Sequence, residues 1–493
     1  MGTPRLQIVD AERPTPARLG LAAASVPLVV DLDGTLIRSD LLVESYLALM
    51  AADPVAAGRA LTALRRGKAA LKAKIADTAL IDVATLPYDE AVLAMLREAR
   101  AAGRQTFLVS ASDHRYVRAV ADHLQLFDGC EGTAEGANLS GSTKAAHLVE
   151  RFGEGGFDYV GDAAVDTAVW AKARQGFVIA PSGKLNRAIA SAGLTVTAVS
   201  ERGGRAKAYL KAIRPHQWMK NTLIFLPALA GHQFNLNTFA ACVVAFVSFS
   251  LCASSVYLLN DLLDLKSDRE HDRKRNRPFA SGRAPLISGM MLAPALLLTS
   301  LLIAAFLPMK FLAVLGGYYV LTLAYSLGLK RVMTVDVIAL ACLYGARIFA
   351  GSAATDVPIS PWLEALSVFF FLSLALVKRI GELSDRVLAG KGDPSGRGYR
   401  LSDLPMVGSM GAASGFVAVL VLALYFNSPD VAHLYHSPHR LWALCVITLF
   451  WICRMLMKAH RGEMHDDPVV FALRDRTSQA CGVVSAVVVA FSL

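Results

Sequence analysis

The composition changes abruptly near residue 208, and that change constrains the chain more than any single motif. Up to about residue 200, no stretch approaches the roughly 20 apolar residues that a membrane helix needs. Beyond a basic, glycine-containing stretch, Glu201 to Ala208, apolar spans follow one another to the C-terminus. Nine are predicted, near 218–232, 238–259, 288–307, 311–328, 334–352, 361–377, 406–426, 440–457 and 478–493, several of them near the minimum length. With 54% hydrophobic and 18% charged residues among 493, the chain is too apolar for an ordinary soluble enzyme and too long for one core. The expected organisation is an N-terminal extension (1–25), a soluble domain (26–200), a linker (201–213) and a membrane domain (214–493).

The net charge of +10 reads as topology once the loops are compared. Those after spans two, four, six and eight hold Arg269 to Arg283, Lys330-Arg331, Lys378 to Arg400, and Lys458 to Arg476. The alternate loops hold almost no basic residue beyond Lys310 and Arg440. Cytoplasmic loops retain Lys and Arg, so the soluble domain and the motif-bearing loops are expected on the cytoplasmic face of the inner membrane, and nucleic-acid binding is excluded. The first 25 residues contain no apolar core of a signal peptide, which predicts a cytoplasmic N-terminus. Seven cysteines, odd in number and without C-x-x-C spacing, indicate neither a disulfide framework nor a zinc site and read as buried apolar residues.

In the soluble half, short apolar runs alternate with helical patterns such as Tyr88 to Ala101, which predicts β/α units and a parallel sheet. Pro27-Leu-Val-Val30 runs into Asp31-Leu-Asp-Gly-Thr35, placing two carboxylates at a strand's C-terminal end, where ligands bind in such sheets. Asp31 there can attack phosphorus and Asp33 can carry the proton. Ser110 ends a second strand with a hydroxyl for a phosphate oxygen. Lys144 supplies a cation for the phosphoryl group or the charged nucleophile. Asp162 and Asp166 add oxygen ligands suited to Mg²⁺, with Asp31 and Asp33 as the other acids at the metal. The helical, basic stretch from Leu41 to Ala79 reads as a cap, whose limits are placed at about 41–100.

These four motifs in order, Asp31-x-Asp33-Gly-Thr, Ser110, Lys144 and Gly161-Asp162-x-x-x-Asp166, resemble those of the haloacid dehalogenase (HAD) superfamily. The resemblance covers about residues 26–195. It implies a Rossmann-like α/β fold and a phosphatase-like activity, with Asp31 as nucleophile and Asp33 as general acid/base.

In the membrane half, span two ends in Asn260-Asp261-Leu-Leu-Asp264-Leu-Lys-Ser-Asp268, and the three acids recur at i, i+3 and i+7. On a continuing helix they share a face. Three carboxylates there need a cationic partner, and Mg²⁺ with a substrate diphosphate supplies one. Lys274 and Arg277 follow, able to hold phosphate oxygens. A second loop offers Tyr325, Lys330 and Asp336.

This half resembles the UbiA superfamily of intramembrane transferases, which implies an all-α bundle of nine membrane helices, Asn260 and Tyr325 at the substrate, Asp261 and Asp264 in catalysis, and Asp268 and Asp336 as further metal ligands. The second loop departs from the family's Asp-x-x-x-Asp, since Leu340 stands four residues after Asp336. Arg214-Pro-His-Gln-Trp218-Met-Lys220-Asn221, Arg347-Ile-Phe-Ala-Gly351 and Asp466-Asp-Pro-Val469 resemble more narrowly the polyprenyl-phosphate phosphoribosyltransferase branch. That resemblance implies phosphoribosyl pyrophosphate (PRPP) as donor and a polyprenyl phosphate in the bilayer as acceptor, with Lys220, Asn221, Lys274, Arg277, Lys330 and Arg347 at the substrates. Lys378 and Arg379 serve equally well as topology residues. Two alternatives stay open: a prenyl-diphosphate to aromatic-acceptor transferase, and a transporter with a regulatory HAD domain. Whether the chain forms a homo-oligomer is also open.

Overall fold

The computed structural model describes residues 7–8, 26–79, 81–134, 139–200, 204–233, 235–394, 397–428, 431, 435–464 and 467–492. The chain divides into two compact units. The first comprises the residues up to Ile213 together with Leu258–Leu292, and the second Arg214–Tyr257 with Ala293–Leu493.

Seven parallel strands form the frame of the first unit: β1 (Gln7–Ile8), β2 (Leu28–Val30), β3 (Thr106–Asp113), β4 (Gly129–Thr133), β5 (Asp158–Gly161), β6 (Gln175–Ile179) and β7 (Val196–Ser200). Their order is β1-β7-β6-β5-β2-β3-β4. Strand β2 pairs with β3 on one side and β5 on the other. The connections therefore reverse direction at β2, and a crevice opens beyond its C-terminal end. Both faces of the sheet are covered. Leu28, Val30, Leu108 and Val160 join one apolar layer, while Val29, Phe107, Val109 and Tyr159 join the other. That two-sided burial is why these strands read as continuous apolar runs. Arg104, fully buried, ties strand beginnings together through the Val26 carbonyl and the Asp158 carboxylate. Gln7–Ile8, inside the segment expected to be an extension, forms the edge strand on β7, and the rest of residues 1–25 lies outside the described residues.

The cap is smaller than expected. Helices α1 (Leu41–Ala52), α2 (Pro54–Leu61) and α3 (Lys68–Ala76) enclose a separate cluster of Leu49, Ala57, Ala60, Leu71 and Ile75. Helix α4 (Glu90–Ala101) instead buries Val92, Leu93 and Leu96 in the main core against the sheet, so the cap ends near residue 79 rather than 100. Asp40 and Asp53 cap α1 and α2 through their side chains. Lys72 donates to the Ala111 carbonyl at 2.6 Å, and Tyr116 to that of Ala79 at 2.9 Å, closing the cap over the end of β3.

The stretch read as a linker is mostly ordered helix, α5 (Arg205–Ile213), which buries Ala208 and Ala212. Tyr209 on it donates to Ser288 at 2.8 Å. The unit boundary therefore differs from the composition boundary: the loop after the second predicted span packs as part of the first unit.

Among the described residues, six helices are long and apolar enough to cross a membrane: Leu236–Leu263, Leu286–Ala304, Met309–Leu327, Val335–Thr355, Leu401–Phe426 and Pro438–His460. The chain is accordingly an integral membrane protein. Three of the nine predicted spans differ. The first is a 3₁₀ segment, Pro215–Phe225, continued by the short helix Leu226–Ala230, with a proline opening each piece. The sixth is the 28-residue helix Pro361–Leu388, whose last turns carry Lys378, Arg379, Glu382, Asp385 and Arg386. The ninth, Arg476–Ala490, has 15 residues. Side chains such as Leu236, Phe306 and Met309 stay more than three-quarters exposed, which suits a lipid-facing surface. All seven cysteines are free, but only Cys242, Cys252 and Cys445 are buried. Cys342 is exposed, contrary to the sequence reading.

Candidate functional site

Three groups of polar residues carry chemistry, two in the first unit and one in the second. At the switch point, β2 delivers Asp31 and Asp33, β3 delivers Ser110 and Ser112, and β5 leads to Asp162 and Asp166. Ligand oxygens of Asp31, Asp162 and Asp166 all lie within 4.8 Å of one another. This hard-oxygen set fits a divalent cation such as Mg²⁺. Gly34, at φ +76°, is required: a Cβ there would lie 2.7 Å from Cγ of Asp162. Lys144, buried on helix Ser142–Phe152, donates to Asp31 at 2.7 Å and to the Tyr159 hydroxyl at 3.0 Å. Tyr159 donates in turn to Asp166 at 2.9 Å.

Asp33 is placed differently from the expectation that it joins the metal ligands. Its carboxylate turns away to accept from Ser110 at 3.4 Å, from Ser112, and from the Leu41 amide at 2.7 Å. Burial, reinforced by the negative charge of Asp40, pushes its carboxyl up to about 7. Burial and the charge of Asp31 push Asp166 up to about 6. Ser110 also anchors the Ser112 amide at 3.1 Å, so it orders the β3 end as well as facing Asp33. Ser112 and Tyr159 were not singled out from sequence. Their signal was there: Ser112 stands two residues after Ser110 on a strand and so shares its face.

The acid stripe follows the long helix Leu236–Leu263. This helix ends before Asp264, and a short one, Leu265–Glu270, continues. The stripe is thus interrupted, but Asp261 and Asp268 still converge, since Nη1 of Arg277 reaches Asp261 at 3.1 Å and Asp268 at 2.6 Å. Burial raises the Asp268 carboxyl despite the opposing charge of Arg277. One guanidinium thus bridges the two carboxylates; among the described residues, Asp261, Asp264 and Asp268 do not come close enough together to form a three-ligand group as Asp31, Asp162 and Asp166 do. Asp264 and Asn260 are half-buried beside it, and Lys274 is exposed on the loop.

In the second unit, cations converge on acids. Asp467, at the start of helix Pro468–Arg474, accepts from Lys220 at 2.8 Å and from Tyr344 at 2.7 Å, with Lys378 at 3.6 Å. Burial alone would raise this carboxyl, but the charges of Lys220 and Lys378 and the bonds from Lys220 and Tyr344 hold it well below the usual carboxylate range. Arg347 is buried against Phe249, Tyr318 and Tyr344, and donates to Asn221 at 2.8 Å; Asn221 donates to Ser250 at 2.9 Å. Asp336, expected as a metal ligand, is fully buried and engaged through both oxygens, by Arg379 at 2.6 Å and Tyr399 at 2.8 Å. It serves here as the counter-ion of Arg379, which also donates to Tyr325 at 2.9 Å. Lys330 lies half-buried near the start of the same loop. Asp467 was quoted in a motif without a role. Asp466, beside it, lies outside the described residues.

The model of the UbiA prenyltransferase family matches residues 221–472. The chain is 37% identical to protein y4nM of Sinorhizobium fredii over 94% of its own length and 90% of that protein, a share that necessarily takes in both halves. It is 34% identical to the nodulation protein NoeC of Azorhizobium caulinodans, over 55% of this chain and 89% of the relative. It is 32% identical to the decaprenyl-phosphate phosphoribosyltransferase of Mycolicibacterium smegmatis, over 55% of this chain and 87% of that enzyme.

Proposed function

Because the chain belongs to the UbiA prenyltransferase family, we propose that its membrane half transfers 5-phosphoribose from PRPP to a polyprenyl phosphate. The observation that carries this choice of substrates is a surplus of cation among the described residues at Asp467 in the second unit, where buried Lys220 and half-buried Lys378 both meet that carboxylate. Such a surplus suits an acceptor whose reacting group is a phosphate. A neutral aromatic acceptor would leave it uncompensated. The similarity to a decaprenyl-phosphate phosphoribosyltransferase supports the same choice.

A divalent metal held by Asp261, Asp264 and Asp268 would neutralise charge on the departing diphosphate. Arg277, already bridging Asp261 and Asp268, and Lys274 hold its outer oxygens. The C1–O bond to diphosphate breaks with oxocarbenium character at C1, and an oxygen of the lipid phosphate forms the new bond. The test is incubation of purified protein with radiolabelled PRPP and polyprenyl phosphate. Label is expected in the lipid fraction. Transfer from a prenyl diphosphate to an aromatic acceptor, with none from PRPP, would overturn the reading.

For the α/β domain we infer HAD-type phosphatase action on the product's 5-phosphate. Asp31 attacks phosphorus and the bond to the ribose oxygen breaks. Asp33, whose carboxyl lies near 7, protonates that oxygen. Asp33 then takes a proton from the water that hydrolyses the aspartyl phosphate, releasing phosphate and leaving polyprenyl-phosphoryl-ribose. Lys144 holds Asp31 in place meanwhile. A covalent fusion raises the effective concentration of one product at the next site. The basic loops support a cytoplasmic face for both activities. An impermeant thiol reagent on intact cells should then spare a cysteine placed at Ser281 and label one at Ser428. A cysteine at Ser395 should be spared in the same way, although that position lies outside the described residues.

A further inference from the structure

The α/β domain does more within the first unit than present its own acids: it grips the loop that carries the acid stripe. Glu44, in the first turn of α1, is 6% exposed and receives both terminal nitrogens of Arg269, Nη1 at 3.1 Å and Nη2 at 2.6 Å. Ser39 donates to the same carboxylate at 2.6 Å. The Arg269 side chain is itself 8% exposed and spends its remaining Nε on the Ala280 carbonyl at 2.9 Å, so one side chain ties both limbs of the loop together. Arg269 follows Asp268 directly, and Asp268 is the carboxylate that Arg277 holds. At the far limb, Gly282 packs so closely on Arg38 that a Cβ would lie 2.7 Å from the Arg38 carbonyl oxygen, and its φ of +67° also favours glycine. Lys266 adds a more exposed pair with Asp82 at 3.2 Å.

The gripping residues belong to the segment that builds the other site. Gly34 donates to the Ser39 carbonyl at 2.9 Å, and Leu41 to the Asp33 carboxylate at 2.7 Å. Arg38, Ser39 and Glu44 are thus fixed by the same turn that positions Asp31 and Asp33. A bidentate, buried arginine–carboxylate pair resists replacement by either partner's neutral analogue, because the survivor stays buried and uncompensated.

We propose that Glu44 and Arg269 are positioning residues for the transferase: through them the α/β domain holds the loop of Asp264, Asp268 and Arg277 in its metal- and diphosphate-ready form. The proposal rests on reading that loop as the diphosphate site. It gives the soluble domain a structural task in transfer that is separate from any hydrolysis it performs. Neither residue touches substrate.

The test uses the full chain in nanodiscs, with Glu44→Gln and the milder Arg269→Lys, which keeps the charge and loses the fork. Amide hydrogen exchange is followed by mass spectrometry across residues 264–282, and Mg²⁺ half-saturation of transfer is measured beside it. Glu44→Gln is expected to speed exchange in 264–282 by about tenfold or more, with peptides from 336–352 unchanged. It should raise Mg²⁺ half-saturation by about tenfold with kcat within about threefold. Hydrolysis of p-nitrophenyl phosphate should stay near wild type, and Arg269→Lys should fall between. Wild-type exchange across 264–282 in both variants overturns the proposal. Should wild type transfer nothing from PRPP, the substrate reading fails, and the exchange measurement still decides whether the grip exists.

Discussion

The two units solve opposite charge problems. At the switch point of the α/β domain, three carboxylates, Asp31, Asp162 and Asp166, gather around one lysine. In the membrane unit two lysines and a tyrosine gather around Asp467, and Arg347 is housed by rings and an amide. Burying ionised groups is costly unless they are matched, so each imbalance identifies what must arrive. The clustered carboxylates of the first site suit a divalent cation, and the clustered cations of the second suit an anion such as the phosphate proposed above. The acid stripe is of the first kind, with Asp261 and Asp268 brought together on Arg277.

The comparison breaks most sharply at Asp31. Asp31→Asn removes the proposed nucleophile, and phosphatase turnover should fall on the order of a thousandfold or more. Transfer, which uses other residues, should persist. Lipid mass spectrometry on protein supplied with PRPP and polyprenyl phosphate should then show the phosphorylated lipid in the variant and the dephosphorylated lipid in wild type. Wild type stopping at the phosphorylated lipid would separate the two activities.

Next in size are Asp261→Asn and Asp264→Asn. Each takes a charge from the proposed metal-diphosphate site, at a cost of about a hundredfold in transfer. Removing divalent metal with a chelator should abolish transfer in wild type, and readdition should restore it. Near-normal transfer in both variants would eliminate the stripe as the metal site.

A smaller loss is expected at Lys220→Met. It removes one of the two lysines on Asp467, so the anion site keeps half of its charge. Transfer should fall about tenfold, mostly through a higher KM for the lipid phosphate. Because Asp467 is buried but keeps Tyr344 and Lys378, losing one of its partners should also cost about 1–3 kcal/mol of stability, read as a lower Tm. An unchanged KM with a lower Tm would make the pair structural only.

These residues differ in how far sequence could reveal them. Asp31 was legible because an apolar strand runs directly into it, and local order along the chain is what a strand-end motif records. The same holds for Asp261 and Asp268, which converge although the helix breaks at Asp264. Asp467 was not legible in its role, since its partners Lys220, Tyr344 and Lys378 come from three other elements and only the fold unites them. The cap's limits failed for a related reason. Helix α4 has the same amphipathic pattern whether it covers a cap or a sheet, and only its burial in one core cluster with Leu28 and Leu108 assigns it. The cut between Ile213 and Arg214 falls where the linker was expected to end, but composition reports solvent, whereas packing reports partners. Residues 258–292 begin inside an apolar helix yet pack with the α/β domain.

The smallest effect is expected at Asp336, where the two kinds of site can be told apart. As a metal ligand, Asp336 would shift the Mg²⁺ requirement as Asp261 does. The structure instead gives both of its oxygens to Arg379 and Tyr399, leaving Arg379 to hold Tyr325. Asp336→Asn keeps an oxygen acceptor for one of those donors and loses only the charge opposite Arg379. Glu382, which also pairs with Arg379, retains part of that compensation. Mg²⁺ half-saturation should therefore move less than about twofold, while transfer drops no more than about tenfold through loosening of Arg379 and Tyr325. A shift in Mg²⁺ half-saturation as large as that of Asp261→Asn would return Asp336 to the metal and show that its pairing with Arg379 opens when substrate binds.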